Sequence, residues 1–386
     1  MVFFSVGIDF EGKREELKRT DRTGMKVKEY RKPEEKKSRV RALLLLSGGL
    51  DSILAGKVLE DQGVEIVALT FKSQFFGPRE AIRAAEEQNW PLVEVDITEE
   101  AIQVVEKPRY GYGKNMNPCI DCHGQMVRIA GQLLDKYQAD FVATGEVLGE
   151  RPKSQNRQAL GIVEKLGGLK GLVLRPLSAR LLPVTIPEEK GLVDRERLLD
   201  ISGRSRKRQM ELAEKYGIKE YPTPAGGCLL ADPGFSQRLR KLMEWRGRLL
   251  VEDIRLIKSG RLFFEAEGII VIGRDEKDNE KIRKSILDSD IIITTTEGKG
   301  PLTAVRLKKM PEAVMGEGGK KIASGVKEVA DEANDMKTSC QVIRKAALLT
   351  IRYSKVKGAE EAGVIIAWKD RKEERKFKKE EWEQFL

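Results

Sequence analysis

The sequence has few of the features that mark exported or membrane-spanning proteins. Its longest apolar runs, such as Ala42 to Leu46, are far shorter than the roughly 20 residues that cross a bilayer. The N-terminal segment soon becomes charged and has no small-residue cleavage site, so it does not resemble a signal peptide. Only four cysteines occur in 386 residues, which is too few for a disulfide framework. We therefore expect a cytoplasmic protein without a membrane partner.

The length and the charge balance limit the domain count and the partners. A chain of 386 residues suggests two or three domains. Lys and Arg exceed Asp and Glu by 71 to 61, which gives a net charge of +10. This excess favours a polyanionic partner such as nucleic acid, although an ordinary solvated surface accounts for it equally well.

Buried strands alternate with helices in the first half of the chain. Apolar runs predict strands at 40–46, 64–71, 91–97 and 139–146, and helical spacing follows several of them, including a helix predicted from Gln125 to about Tyr137. This alternation predicts an α/β fold with a parallel sheet and helices on both faces.

Composition divides the chain into four predicted segments. We predict an N-terminal extension at 1–38, the α/β domain at 39–184, and a helical segment completing it at 185–235, with two charged helices joined by a basic turn. A smaller C-terminal α/β domain follows at 236–386, and its tail is predicted to form an apolar strand and a mixed-charge helix.

A glycine pair lies where the first strand passes into the first helix. In SGGLDS (Ser47 to Ser52), glycines let the backbone approach a ligand, and the helix N-terminus offers free amides, so the position suits phosphate. The third glycine of a Rossmann fingerprint and the Gly-Lys-Ser/Thr of a Walker loop are missing. A simple turn with Asp51 or Ser52 capping the helix is the alternative.

SGGLDS resembles the pyrophosphatase loop, SGGxDS, of the PP-loop ATPases. The resemblance implies a Rossmann-like fold of the adenine nucleotide α hydrolase type, and cleavage of ATP between its α and β phosphates to adenylate a substrate oxygen. It implies Mg²⁺ at Asp51, since a bare carboxylate beside phosphate would repel it. The implied ATP-binding residues are Ser47, Gly48, Gly49, Asp51, Ser52, Thr70, Thr144 and Gly145, with Ala68 near the adenosine.

The second motif, NPCIDCHG, holds Cys119, Cys122 and His123, the chain's only histidine. CxxC alone fits zinc, redox or iron-sulfur chemistry. Adjacent side chains rarely converge on one ion, so we expect His123 to cap or hydrogen-bond near a helix start. The remaining candidate ligands are Cys119, Cys122 and the distant Cys228 in PAGGCLL, with Cys340 as the other candidate, and three cysteines leave one coordination position open.

Two other cysteine assignments belong beside this one. Cys119 and Cys122 could form a surface redox pair while Cys228 is a small buried hydrophobe. Cys340, in TSCQVI, has no partner in the sequence and is predicted to lie in a core.

NPCIDCH, the later ADFVATGE and a lone cysteine in a glycine-rich loop together resemble the tRNA 2-thiouridylase branch of PP-loop enzymes. The resemblance covers roughly residues 40 to 235. It implies that ATP activates a uridine carbonyl as its adenylate and that sulfur displaces AMP. Cys119, Cys122 and Cys228 would be catalytic, either holding a 4Fe-4S cluster or passing sulfur through a Cys228 persulfide.

The resemblance also implies partners. These are tRNA and a sulfur donor such as sulfide or a cysteine desulfurase, and a homodimer is compatible with the sequence. Two residues differ from the pattern of the 2-thiouridylase branch. After the ATG turn that branch has histidine and this sequence has Glu146; after the second cysteine that branch has asparagine and this sequence has His123. These departures leave the target nucleotide open. The 4-thiouridine synthases are also related, but 38 residues leave no room for their N-terminal RNA-binding module.

Basic residues suggest two further contacts. RLFFEAEGIIVIGRDEKDNEKI resembles an NFACT-R-type RNA-binding domain, and nearby basic residues could track a phosphate backbone. These are Arg238, Arg240, Lys241, Arg246, Arg248, Arg261 and Arg274. ISGRSRKRQ (Ile201 to Gln209) has four basic residues in five and is predicted to contact RNA or pyrophosphate.

The resulting hypothesis is an ATP-dependent RNA sulfurtransferase. A PP-loop enzyme acting on a small molecule, by sulfur insertion or amide formation, is the alternative. A non-enzymatic RNA-binding protein is a third hypothesis, and the intact SGGLDS argues against it.

Overall fold

The computed structural model divides the chain into two units. The described residues are 19–20, 25–31, 39–222, 227–298, 300–308 and 329–384. The first unit comprises Met1–Gly113 and Pro118–Cys228, and the second comprises Lys114–Asn117 and Leu229–Leu386. The boundary thus follows Cys228, and a four-residue segment before Cys119 belongs to the second unit.

The first unit is built on a seven-stranded sheet. Its strands are β1 (Arg19–Thr20), β2 (Lys26–Glu29), β3 (Arg41–Leu45), β4 (Glu65–Lys72), β5 (Leu92–Asp96), β6 (Phe141–Thr144) and β7 (Val173–Leu174). Their order is β1-β2-β5-β4-β3-β6-β7. The strands from β5 to β7 in this order pair in parallel, whereas β1 and β2 are antiparallel at one edge. The predicted α/β class is confirmed.

Helices cover both faces of this sheet. They are α1 (Leu50–Glu60), α2 (Arg79–Gln88), α3 (Thr98–Glu106), α4 (Cys119–Leu133), α5 (Arg157–Gly167), α6 (Ile186–Glu189) and α7 (Lys207–Lys215). Alternate residues of β3 enter different cores: Leu44 joins Leu54 of α1, and Leu43 joins Leu133 of α4. Burial on both faces explains why the strand is a continuous apolar run.

Three elements of the first unit differ from the sequence predictions. The N-terminal extension supplies β2, whose four residues, KVKE, are too few to show a period. Helix α4 begins at Cys119 rather than Gln125, so the CxxC pair forms its first turn. The first of the two charged helices is a single turn, α6, since Gly191 adopts a left-handed φ of +65° just after it.

The second unit has a six-stranded antiparallel sheet. Its strands are β8 (Arg261–Glu265), β9 (Gly268–Ile272), β10 (Ile291–Thr295), β11 (Thr303–Leu307), β12 (Glu361–Trp368) and β13 (Arg371–Lys378), in the order β13-β12-β10-β11-β9-β8. Its helices are α8 (Pro233–Arg246), α9 (Val251–Leu256), α10 (Glu276–Arg283), α11 (Val329–Arg352) and α12 (Lys379–Glu383). Ala346 and Leu349 of α11 pack with Val364 and Ile366 of β12 in the core of this unit.

One prediction for the second unit is incomplete and one is wrong. The tail does form an apolar strand, β12, and a short mixed-charge helix, α12, but the segment Arg371–Lys378 between them is a further strand. It pairs along its whole length with β12 while most of its side chains stay exposed. Cys340 is exposed on α11 rather than buried in a core. Within the described ranges, no helix is both long and apolar enough to span a membrane.

Candidate active site

The loop from Ser47 to Ser52 connects β3 to the N-terminus of α1. Gly48 has a φ of +78°, and a Cβ there would overlap the backbone of Glu80, so only glycine fits. The Gly49 amide donates to Ser47 Oγ at 3.2 Å, and Ser52 Oγ donates to the Gly49 carbonyl at 2.8 Å. Gly49 is the N-cap residue, and no side chain of the described chain caps α1. The capping alternative is therefore wrong.

The turn after β6 packs directly on this loop. A Cβ at Gly145 would lie 2.5 Å from the Ser52 amide nitrogen, so the two backbones are in close contact. Thr144 is buried at the end of β6 and Thr70 is buried two residues before the end of β4, and these two strands flank β3. The structure thus brings the glycine loop and Gly145 together, while the contact of Thr70 and Thr144 with adenosine stays a prediction.

The cysteine pair occupies the first turn of α4. Asp121, between the two cysteines, accepts hydrogen bonds from the amides of Arg109 and Tyr110, both at 3.0 Å, and thereby fixes the preceding loop. Burial raises the pKa of the Cys122 thiol, and the neighbouring Cys228 and Cys119 raise it further. Cys119 and Cys228 therefore lie close enough to Cys122 to affect its thiol electrostatically.

These cysteines do not form a simple ion site. Among the described residues, no three His, Cys, Asp or Glu side chains are grouped as ligands of one metal ion. A structural zinc ion would need four nitrogen, sulfur or oxygen ligands in a tetrahedral arrangement. The described residues therefore do not show the predicted metal group of Cys119, Cys122 and Cys228, either for zinc or for a cluster.

The two departures from the 2-thiouridylase pattern are in contact with each other. His123 Nδ1 lies 2.9 Å from Glu146 Oε1, and Arg175 Nε donates to Glu146 Oε2 at 3.0 Å. Arg175 is itself buried and forms a second ion pair with Glu164. Burial would raise the pKa of Glu146, but Arg175 and His123 outweigh it and hold that pKa at about 2. Glu146 is thus a carboxylate that accepts from both partners.

Arg175 and Glu164 had not been predicted as site residues. Neither belongs to a motif, and the only sequence signal was the glutamate that replaces the family's histidine at 146. The prediction that His123 forms a hydrogen bond near the start of a helix is confirmed, and the helix is α4.

Only some residues of the basic turn 201–209 lie near the glycine loop. The Gly203 amide donates to the Leu148 carbonyl at 2.8 Å, which joins this turn to the loop after β6. Arg206 then lies 3.7 Å from Asp51, whereas Arg208 pairs at the surface with Asp200 at 2.7 Å. Burial raises the pKa of Asp51, and Arg206 and Gln209 oppose that rise.

The arginines predicted to track a phosphate backbone are partly used within the second unit. Arg238 donates to the carbonyls of Ile257, Ser259 and Gly260. Arg246 pairs with Asp253, and Arg274 pairs with Asp278. Arg240, Lys241 and Arg248 are exposed. Arg238 therefore stabilises the unit itself.

The parallel sheet and the SGGLDS loop between β3 and α1 are the features that the resemblance to PP-loop ATPases implied, and one known family matches the same part of the chain. Residues 37–180 match the family model described as "Thiamine biosynthesis protein (ThiI)". The resemblance to PP-loop tRNA thiouridylases is thereby confirmed over this segment. The NFACT-R resemblance of the second unit stays a prediction.

Individual relatives match the same part of the chain. A "Probable tRNA sulfurtransferase" of Finegoldia magna is 31% identical over 143 residues, covering 36% of each chain. A "tRNA-specific 2-thiouridylase MnmA" of Sulfurimonas denitrificans is 32% identical over 122 residues, covering 28% of this chain and 35% of the relative. This chain spans about a third of the length of these curated relatives.

One solved structure is also similar. It is a 4-thiouridine synthetase in complex with RNA and bound ATP, at 22% identity and a TM-score of 0.32, covering 52% of this chain and 50% of the other.

Proposed function

We propose that the protein is an ATP-dependent sulfurtransferase that acts on a uridine of RNA, with tRNA as the substrate. The match to the ThiI family model and the relatives named as tRNA sulfurtransferase and 2-thiouridylase support this class. In the proposed reaction, a uridine carbonyl oxygen attacks the α phosphate of ATP and releases pyrophosphate. Sulfur then adds to the carbonyl carbon of the uridine, and AMP leaves with the former carbonyl oxygen.

One observation supports the proposal more than any other. Gly145 and Glu146 connect the glycine loop to helix α4. The Gly145 backbone packs on Ser52, and the Glu146 carboxylate bonds to His123, which follows Cys122. Transfer of sulfur to an adenylated carbon requires the nucleotide and the sulfur carrier in one site. Both ends of this connection belong to the first unit.

In this proposal, the glycine loop holds the β and γ phosphates of ATP. Ser47, Gly48, Gly49 and Ser52 supply amide and hydroxyl donors in this proposal, and Asp51 supplies a carboxylate for Mg²⁺. Asp51→Ala should abolish RNA-dependent AMP release. Turnover at the wild-type rate in this variant would remove the loop from the chemistry.

Cys119, Cys122 and Cys228 are the proposed sulfur-handling residues. The effect of Cys228 and Cys119 on the pKa of the Cys122 thiol supports the idea that the three residues act together. Three thiolates would hold a 4Fe-4S cluster, which when bound offers an iron with an open position for sulfide. A Cys228 persulfide is the other way in which the same residues could deliver sulfur.

Anaerobic purification separates the two sulfur routes. The cluster predicts a brown protein with about four irons, lost on replacing any of the three cysteines by alanine. The exposed Cys340 provides a matched control, so Cys340→Ala should keep the iron. A colourless wild-type protein that still thiolates RNA would exclude the cluster and leave the persulfide.

The substrate is tested by mass spectrometry of tRNA nucleosides, with and without the protein and ATP. A new thionucleoside that requires Cys228 is the expected result. RNA binding should also weaken steeply with salt, because phosphate contacts release counterions. Salt-independent binding and an unchanged nucleoside profile would contradict the RNA substrate and favour a small molecule.

A further inference from the structure

Buried polar atoms without hydrogen-bond partners gather beside the glycine loop. In the part of the chain that the structure describes, Asp51 Oδ1, Arg206 Nε and both amide atoms of Gln209 have no partner at hydrogen-bonding distance, although Gln209 lies close enough to Asp51 to lower its pKa. Gln209 is completely buried. Because unsatisfied buried polar groups are costly and therefore rare, such a gathering indicates a place where a ligand supplies the missing partners.

The fold brings these side chains together by specific backbone contacts. Ser178 Oγ accepts from the Leu148 amide at 2.9 Å and donates to the Ile201 carbonyl at 2.7 Å. This fully buried serine ties the loop after β6 to the turn that leads into α7. Arg206 is the N-cap residue of α7, and Gln209 lies in its first turn. Their position beside Asp51 therefore follows from the backbone rather than from a mobile side chain.

The ion pair between Arg206 and Asp51 is loose. Its closest approach is 3.7 Å, between Arg206 Nη2 and Asp51 Oδ2, and both groups keep a buried atom without a partner. A guanidinium that already satisfied its carboxylate would be expected to bond at two points. This geometry leaves the donors of Arg206 available to a second acceptor.

We infer that Arg206 and Gln209 form an anion subsite that takes the polyphosphate of ATP and retains the pyrophosphate product. Arginine presents a planar set of donors that matches phosphate oxygens, and the Gln209 amide adds a neutral donor. Asp51 is then released from Arg206 to serve Mg²⁺. The subsite rests on the proposed function for its ligand, because pyrophosphate is the product of adenylation.

The same turn contains a matched control. Arg208 has the same side chain two residues further on, but it is about half exposed and pairs with Asp200 at 2.7 Å. If the basic turn acted through its charge alone, Arg206 and Arg208 would be equivalent. The structure instead predicts that they differ.

The test measures binding of Mg-ATP and of inorganic pyrophosphate with magnesium by calorimetry to the full-length chain. Arg206→Gln should weaken both by about 10- to 100-fold, the usual effect of losing hydrogen bonds to a charged group. Arg206→Lys should fall in between, since it keeps the charge but loses the planar donors. Arg208→Gln should stay within about twofold of wild type.

Gln209→Leu gives a readout that a purely structural role would not produce. It removes two buried polar atoms that the ligand would satisfy, so pyrophosphate affinity should fall while the ligand-free melting temperature changes little. A lower melting temperature with unchanged affinity would make Gln209 structural and overturn its place in the subsite.

Four further outcomes decide the inference. Equal binding of both probes by wild type and Arg206→Gln would overturn it, as would no binding by wild type. Equal losses of tRNA affinity in Arg206→Gln and Arg208→Gln, with pyrophosphate binding unchanged, would make the turn an RNA contact instead. Failure to thiolate RNA, with the predicted pyrophosphate losses intact, would refute the proposed function and leave the subsite standing.

Discussion

The buried carboxylate Glu146 allows a quantitative test of the site's electrostatics. It is 8% exposed and accepts from Arg175 and His123. We expect Glu146→Gln to keep the shape of the side chain while leaving the buried Arg175 with Glu164 as its remaining carboxylate partner. Removing one member of a buried ion pair typically costs about 3–5 kcal/mol.

The pKa gives an independent magnitude. The pKa of Glu146 is held at about 2, against an ordinary value of 4.5. Since each pH unit is worth about 1.4 kcal/mol, the ionised form contributes roughly 3 kcal/mol at neutral pH. Because the folded-state pKa is depressed, this contribution is fully present above pH 4.5 and is lost as the pH falls from 4.5 towards 2. The two routes therefore agree.

Hydrogen exchange read by mass spectrometry can isolate the first unit in this test. Peptides from β6 and α4 should lose roughly 3 kcal/mol of protection in Glu146→Gln at neutral pH. Glu99→Gln, at a side chain that is 80% exposed, should change protection by no more than about 0.5 kcal/mol. A variant as stable as wild type, or a difference that does not shrink between pH 4.5 and 2, would refute the reasoning.

Three more predictions follow from packing and exposure. Gly145→Ala should lower the free energy of unfolding by about 1–3 kcal/mol and weaken Mg-ATP binding, because its Cβ would meet the Ser52 backbone. Gly161→Ala, in open space on α5, should instead raise the free energy of unfolding by about 0.5–1 kcal/mol. Melting curves and ATP titrations test both variants, and equal effects would contradict the predicted packing. Arg238→Ala should cost about 1–3 kcal/mol by stranding three carbonyls, while the exposed Arg240→Ala should be nearly neutral in denaturant unfolding; similar losses would mean that the Arg238 bonds are not stabilising. In the native protein under reducing conditions, iodoacetamide should alkylate the exposed Cys340 well before Cys122, whose pKa burial raises, and mass spectrometry showing the reverse order would contradict both assignments.

The sequence was most informative where one motif and one period determine the structure. SGGLDS between an apolar strand and a helix predicted the glycine loop and the parallel sheet, whereas the packing of Gly48 against the Glu80 backbone became visible only in the fold. The start of α4 was missed because Pro118 and the two cysteines carry no helical period, and β2 was missed because four alternating residues are too few. The charged β13 was missed between the apolar strand and the terminal helix because its pairing partner, not its composition, makes it a strand.

The ion network around Arg175 could not be predicted from residue types. Arg175, Glu164, Glu146 and His123 are separated by up to about fifty positions in the sequence, and only the fold makes them neighbours. The sequence did show that His123 and Glu146 both differ from the family pattern. The structure adds that these two side chains are hydrogen-bonded to each other.

The segment Lys114–Asn117 has a consequence for dividing the protein. Its backbone amide at Met116 donates to the Leu230 carbonyl, and the Asn115 side chain donates to the Ala231 carbonyl, all within the second unit. A truncation after Cys228 would delete those acceptors and leave the four residues before the cysteine helix without them. The second unit is therefore not an appendage that can be removed with one cut, and activity lost on its deletion would not by itself show that it binds RNA.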